Sequence, residues 1–257
     1  MIRGIYTSAL GMITNMQRMD VVSQNMANVN TTGHKRDHVV SHAFSDVLLA
    51  RIDDPGHRMF KQVSVGTINP GVFIDDVFTD FSQGAFIQTG NALDMALAGQ
   101  GFFVVNLDGE EFFTRDGAFT LAHGTLMTAD GALVQGENGN IVLPDGYISV
   151  SDRGRIYVND EYVTTLRFVN FSAPEGLHSL RKMQDNLFRT SEHTQDDHFI
   201  PFTGSVQQGF LEGSNVNIVQ EMVEMITVSR AFETNSRVFT LQDGTLQRAV
   251  NDIARRQ

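Results

Sequence analysis

The sequence predicts an α+β protein of several parts, with N- and C-terminal helices pairing as a coiled coil and a central antiparallel all-β domain. Three observations carry this. Apolar residues recur at alternating steps of three and four at both ends of the chain. Seventeen of the 19 Phe lie between residues 34 and 213. That middle stretch is also punctuated by Asp108-Gly109, Asp116-Gly117, Asp130-Gly131, Asn138-Gly139 and Asp145-Gly146, dipeptides that favour tight hairpin turns.

In the first helix the repeat runs through Ile2, Ile5, Ala9, Met12, Met16, Met19, Ser23 and Met26, seven of eight apolar. Its period of about 3.5 residues is that of a helix packed on another helix. Asn28, Asn30 and Gly33 are stop signals. The last helix carries Ile218, Met222, Met225, Ser229, Phe232, Ser236, Phe239, Asp243, Leu246, Val250 and Ile253 on the same repeat, eight of eleven apolar. Asn217 is placed to cap it, with Gln220 three residues on. Glu221 and Glu224 suit the positive end of the helix dipole, and Arg255 and Arg256 the negative end. Gly244 opposes the helix by about 1 kcal/mol. The two Asn-Val-Asn triplets, 28–30 and 215–217, are read as the junctions between helical and β parts.

Between the helices, short β-prone runs such as GFFVVNL (101–107), RIYVN (155–159) and TTLRFVNF (164–171) alternate with turn signals. Residues 34–80, with Pro55-Gly56 and Asn69-Pro70-Gly71, read as an irregular connector, partly extended. The division is therefore 1–33 and 214–257 as the helical assembly domain, 34–80 and 203–213 as extended connectors, and 81–202 as the β domain. Phe102-Phe103 and Phe112-Phe113 cannot all face one core, because successive strand residues point to opposite faces. At least one of each pair is expected inside, and its neighbour against a connector or the next subunit.

A net charge of -11 with only three lysines, Lys35, Lys61 and Lys182, excludes a counterion-releasing nucleic-acid binder. No apolar run is long enough to span a bilayer. The absence of Cys removes disulfides, thiolate metal sites and cysteine nucleophiles. The first residues, broken by Gly4, Thr7, Ser8 and Gly11, lack the unbroken apolar run of a secretory signal.

Candidate chemistry falls at background level. Gly99-Gln100-Gly101 lacks the third glycine of a dinucleotide loop. Ser179 and Lys182 form S-x-x-K without its companion motifs. His34, His38 and His42, spaced by four, read as a solvated polar face and not as metal ligands. His193, Asp196, Asp197 and His198 read as a surface loop. No catalytic residue, metal or cofactor is expected. The exposed seams of Ile5, Ala9, Met12, Met16, Met19, Met26, Ile218, Met222, Met225, Phe232, Phe239, Leu246 and Ile253 are expected to be an assembly interface for further copies.

Residues 5–36, IYTSALGMITNMQRMDVVSQNMANVNTTGHKR, resemble the N-terminal signature of the flagellar rod and hook proteins, the axial proteins of the bacterial flagellum. The matching positions include Asn25, Ala27, Asn28, Thr31, Gly33 and Lys35, while Gln24 replaces an Asn and His34 the usual aromatic. The segment EGSNVNIVQEMVEMITVSRAFETNS (212–236) is similar to the family's C-terminal signature, with Ser214, Asn215, Asn217, Glu221 and Met222 in register. The runs at 91–105 and 112–121 resemble the β domain of the rod proteins. The resemblance implies a non-enzymatic rod subunit, a hook-type axial protein being the alternative. It further implies export unfolded by the flagellar type III apparatus, self-assembly into a torque-transmitting helical tube with other rod and hook proteins, and residence in the basal body. A β-domain enzyme or adhesin with coincidental helices is the competing class.

Overall fold

Apolar periodicity at 3.5 residues becomes helix at both ends of the chain, and the turn-punctuated middle becomes strand. The computed structural model describes residues 2–51, 63–172, 175–184, 186–190 and 199–254. Pro55-Gly56, the 193–198 cluster and Arg255-Arg256 lie outside them. In chain order the elements are α1 (Ile2–Ala27), β1 (Asp37–Ala43), β2 (Val47–Arg51), β3 (Val63–Ile68), β4 (Val72–Thr79), β5 (Phe86–Gln88), β6 (Met95–Ala98), β7 (Phe102–Leu107) and β8 (Glu110–Thr114). There follow β9 (Phe119–Ala122), β10 (Thr125–Thr128), β11 (Leu133–Gly136), β12 (Gly139–Asn140), β13 (Ile148–Val150), β14 (Arg155–Val158), β15 (Glu161–Thr165), β16 (Phe168–Phe171) and α2 (Glu175–His178). The chain ends with β17 (Leu180–Gln184), β18 (Leu187–Thr190), β19 (Phe199–Ile200), β20 (Ser205–Gln208), β21 (Phe210–Glu212) and α3 (Ile218–Ala254).

The chain divides into two units. The first holds residues 1–26, 37–78 and 218–257. Here α1 and α3 are joined by paired strands, β1 with β4 and β2 antiparallel to β3. The described part of the stretch read as an irregular, partly extended connector thus holds two nested strand pairings. Phe44 and Phe73 stack with ring centroids 4.8 Å apart, and the Phe44 amide donates to the Gly71 carbonyl at 3.0 Å. In 72–79 the apolar pairs Val72-Phe73 and Val77-Phe78 flank Asp75-Asp76, so no strict alternation marked β4 in the sequence. Gly71 is required to be small, since a Cβ there would meet Leu10 Cδ1 at 2.8 Å.

The second unit holds residues 27–36 and 79–217. Its main sheet runs β17-β18-β8-β7-β11-β10-β9, with β16 also paired to β7. Among the described residues the paired strands named here are antiparallel, as the turn signals predict. Residues 203–213 are not a connector: β20 pairs with β6 and β21 with β5. The backbone groups of 205–212 are thereby satisfied inside the β unit, which a free linker cannot do.

Both members of each Phe pair are buried. Phe103, Phe112 and Phe119 enter one apolar cluster with Met95, Leu126 and Ile156. Phe102 and Phe113 enter a second with Phe171, Phe188 and the half-buried Phe81. The sheet is covered on both faces by its own unit, so no neighbouring subunit is needed to shelter the second Phe. Asp108-Gly109 has positive φ at both residues, 54° and 90°, as the two-residue turn between β7 and β8 demands. Two turns of the same kind carried no Asp-Gly or Asn-Gly signal: His123-Gly124, and Asn159-Asp160 with φ of 52° and 67°.

Candidate functional site

Within the first unit the two helices run antiparallel in a fixed register. A Cβ on Gly4 would strike the Gln242 side chain, and one on Gly11 would lie 2.8 Å from Asn235 Nδ2. The Asn25 Nδ2 donates to Glu221 Oε2 at 3.3 Å. Gly4 and Gly11 are one heptad apart, as are Gln242 and Asn235; Gly11 and Asn25 are two heptads apart, as are Asn235 and Glu221. Equal steps in opposite directions are the register of an antiparallel coiled coil.

The residues inside that register differ from the predicted seam. The buried positions are Ser8, Val22 and Asn25 on α1, and Glu221 and Val228 on α3. On α1 the contact line lies one residue before the predicted one. Met16 is 52% exposed, while Ile5, Ala9, Met12, Met19 and Met26 are half-buried along the flank. On α3, Met225, Phe232, Phe239 and Leu246 are half-buried, but Ile218 and Met222 are exposed. The side chain of Ile253 lies outside the described residues. The physical reason is close approach: Gly4, Ser8 and Gly11 form a shallow stripe that admits the amides of Asn235 and Gln242. A search for apolar periodicity passes over glycine, and small residues at 4, 8 and 11 were the signal available. The helix pair is consequently polar within, and Tyr6, Ile13, Met16, Val219, Val223 and Ile226 face outward, Val219 being 65% exposed.

The second unit contains the other notable site. The N-terminal signature, residues 27–36, is threaded into it and meets the C-terminal signature there. α1 ends at Ala27, and the Thr31 hydroxyl donates to Asn28 Oδ1 at 3.1 Å. The Thr32 hydroxyl donates to Asp116 Oδ1 at 2.8 Å. Gly33, at φ 68°, leaves no room for a Cβ against the Asp116 backbone, and its amide donates to the Glu212 carbonyl at 2.8 Å. The Arg36 amide donates to Asn215 Oδ1 at 2.8 Å, and Asn215 Nδ2 donates to the Asp80 carbonyl at 2.8 Å. The Ser214 hydroxyl accepts from the Val216 amide, and Asn217 directly precedes α3. Both Asn-Val-Asn triplets therefore lie at helix junctions, as predicted.

Lys35 is the centre of this site, and its side chain is fully buried. Its Nζ donates to Glu212 Oε1 at 2.6 Å and to the Ser82 carbonyl at 2.8 Å. The same Glu212 oxygen accepts from the Gly84 amide at 2.9 Å. Arg115 Nη1 reaches Glu212 Oε2 at 3.3 Å, and its guanidinium sits 5.2 Å from the centroid of Phe102. Burial lowers the Lys35 pKa from its usual value, and Glu212 offsets that in part. Burial lowers Arg115 likewise. Burial raises the Asp116 pKa from its ordinary value, against the pull of its bond from Thr32. One carboxylate serving two buried cations is an ion-pair device that holds chain segments in register.

The remaining candidates are placed as follows. His34 is not on a solvated face: it is 2% exposed. His38 and His42 lie on β1. The Ser179 hydroxyl donates to the Gly176 carbonyl at 2.7 Å, and Lys182 Nζ to the Lys35 carbonyl at 3.4 Å. Among the described residues no helix is long and apolar enough to cross a membrane, and no His/Cys/Asp/Glu group is arranged to hold a metal.

Comparison with known proteins matches this layout. The family described as "Flagella basal body rod protein" matches residues 5–35. The "Flagellar hook protein FlgE/F/G D1 domain" matches 96–158, and the "Flagellar basal body rod FlgEFG protein C-terminal" matches 207–252. The chain is 33% identical to the flagellar basal-body rod protein FlgG of Buchnera aphidicola subsp. Baizongia pistaciae, over 96% of this chain and 98% of that protein. It is 31% identical to FlgG of Bacillus subtilis, over 98% and 99%, and 29% identical to the rod protein FlgF of Caulobacter vibrioides, over 98% and 96%. With two terminal signatures joined through Lys35 and Glu212, and nearly full-length likeness to rod proteins, the chain belongs to the flagellar basal-body rod protein family, a family of structural and not catalytic subunits.

Proposed function

We propose that the chain is a rod subunit that self-assembles into a helical tube with other rod and hook components, and that the outward faces of α1 and α3 are its assembly surface. The observation that carries this is the inverted helix pair. Its inner line is mostly glycine, serine, amide and carboxylate, with Val22 and Val228 the buried aliphatic residues, while Tyr6, Ile13, Met16, Val219, Met222, Val223 and Ile226 are exposed. Such a pair gains little from burying its own seam, and leaves an apolar surface that a repeated subunit would cover.

A rod rather than a hook subunit is favoured because the matched relatives are rod proteins over nearly their whole length. Export in the unfolded state and a place in the basal body follow with this reading.

The test is sedimentation and filament assembly of Met16→Asp and Val223→Asp. Both positions are exposed, so the monomer should keep its melting behaviour while assembly fails. Normal assembly of both variants would remove the outward faces from the interface.

A further inference from the structure

We propose that the Lys35–Glu212–Arg115 cluster is a late-closing lock that makes folding of the β unit conditional on the presence of both ends of the chain. The three residues lie far apart in sequence: 177 positions separate Lys35 from Glu212, and 97 separate Arg115 from Glu212. Closing such long loops costs entropy that local contacts do not. The strands that bring Glu212 into place, β20 and β21, are likewise the last of the unit, and pair with β6 and β5 far upstream.

The charges make the order matter. A chain that has emerged only as far as β18 holds Lys35 and Arg115, two cations destined for one buried site, with Asp80 acting weakly on Lys35 and without the Glu212 carboxylate that bonds to both. Arg115 acts on Lys35 as a like charge, lowering its pKa, and burial opposes the charged form of both. Bringing them together without Glu212 leaves an uncompensated buried charge. When Glu212 arrives, its two oxygens take Lys35, Arg115 and the Gly84 amide at once. The N-terminal signature then becomes fixed in the β unit, with the Gly33 amide on the Glu212 carbonyl. Partial chains are held open, and complete chains close.

Refolding and unfolding kinetics of the full chain test this. Tyr147, Tyr157 and Tyr162 lie in the β unit and Tyr6 in the other. Tyrosine fluorescence in a Tyr6→Phe background therefore reports the β unit. A contact formed after the transition state changes unfolding and leaves refolding untouched. For Glu212→Gln the expected result is unfolding accelerated about tenfold or more, with refolding within about twofold of the parent. If Glu212→Gln does not fold, Glu212→Asp, which keeps the charge and shortens its reach, carries the same measurement. The triple variant Lys35→Met/Arg115→Met/Glu212→Leu, which removes every charge, should refold at least as fast as the parent. Refolding slowed in proportion to the lost stability, or no change in either rate, would overturn the lock, as would a triple variant that refolds more slowly.

Discussion

The Asn25 side chain pairs with the backbone of Asp37 at both of its groups. Its Nδ2 donates to the Asp37 carbonyl at 2.7 Å, and its Oδ1 accepts from the Asp37 amide at 3.0 Å. A side-chain amide here completes the first residue of β1 as a neighbouring strand would. The same Nδ2 also meets Glu221 on α3, so one residue ties three elements of the helical unit.

Asn25→Ala leaves buried backbone groups of Asp37 without this partner. It should cost about 1–3 kcal/mol. Asn25→Asp should cost at least as much, since it loses the donor and sets a carboxylate against Glu221. Chemical denaturation followed by far-UV circular dichroism reads this, and a loss below about 0.5 kcal/mol for either variant contradicts the assignment.

Gly11 is tied to Asn235 in the same way. Gly11→Ala forces the Asn235 amide to move, because the new Cβ would stand 2.8 Å from its Nδ2. In an Asn235→Ala background that obstacle is gone, and the helix propensity of Ala should stabilise by up to about 1 kcal/mol. The double-mutant cycle separates the two effects, and additive substitutions would show that the helices do not touch there.

Asp116 predicts an unusual pH dependence. Its pKa is raised by burial, so the folded state binds more protons than the unfolded one between 3.8 and the folded value. Its contribution to stability is complete below 3.8 and is lost as pH rises through the folded pKa. The stability of the parent minus that of Asp116→Asn should therefore fall with rising pH in that window, with a slope of at most about 1.4 kcal/mol per pH unit. A difference that rises with pH would refute the burial argument.

Asn159-Asp160 turns between β14 and β15 with both residues at positive φ. Asp160→Gly removes a left-handed non-glycine residue and should stabilise by about 0.5–1 kcal/mol. Thermal unfolding of the single variant decides it.

Truncation separates the two terminal roles. Removing residues 1–26 takes α1 and leaves Thr32, Gly33 and Lys35 in the β unit. Removing 1–36 leaves Asp116 without Thr32 and Glu212 without Lys35. Urea unfolding read by tyrosine fluorescence should show a markedly lower midpoint for the longer deletion. Equal midpoints would mean that the signature adds nothing to the β unit.

The fold class was legible because heptad spacing and Asp-Gly turns are local signals. The helix junctions were legible for the same reason, at Asn28–Asn30 and Asn215–Asn217. The inner line of the helix pair was not, because Gly4 and Gly11 act through the absence of a side chain and Gln242 and Asn235 through long-range approach. The strands at 205–212 were hidden too, since their partners lie near residues 86–98 and no local pattern names a partner so distant. Lys35 and Glu212 could be quoted from the terminal signatures, but their meeting could not, and an isolated Lys in a Gly-His-Lys-Arg run reads as a surface charge.

The chain crosses between its two units four times, after residues 26, 36, 78 and 217. Neither unit is a continuous stretch of sequence, so no single exchange of coding sequence can transplant one of them whole. A chimera that takes residues 79–217 from a relative but keeps the local 27–36 segment inherits Glu212, Arg115 and Asp116 from one parent and Lys35 and Thr32 from the other. Such hybrids remain sound only if those positions agree. The ten residues of the N-terminal signature are thus bound by descent to a β unit that begins more than forty residues later.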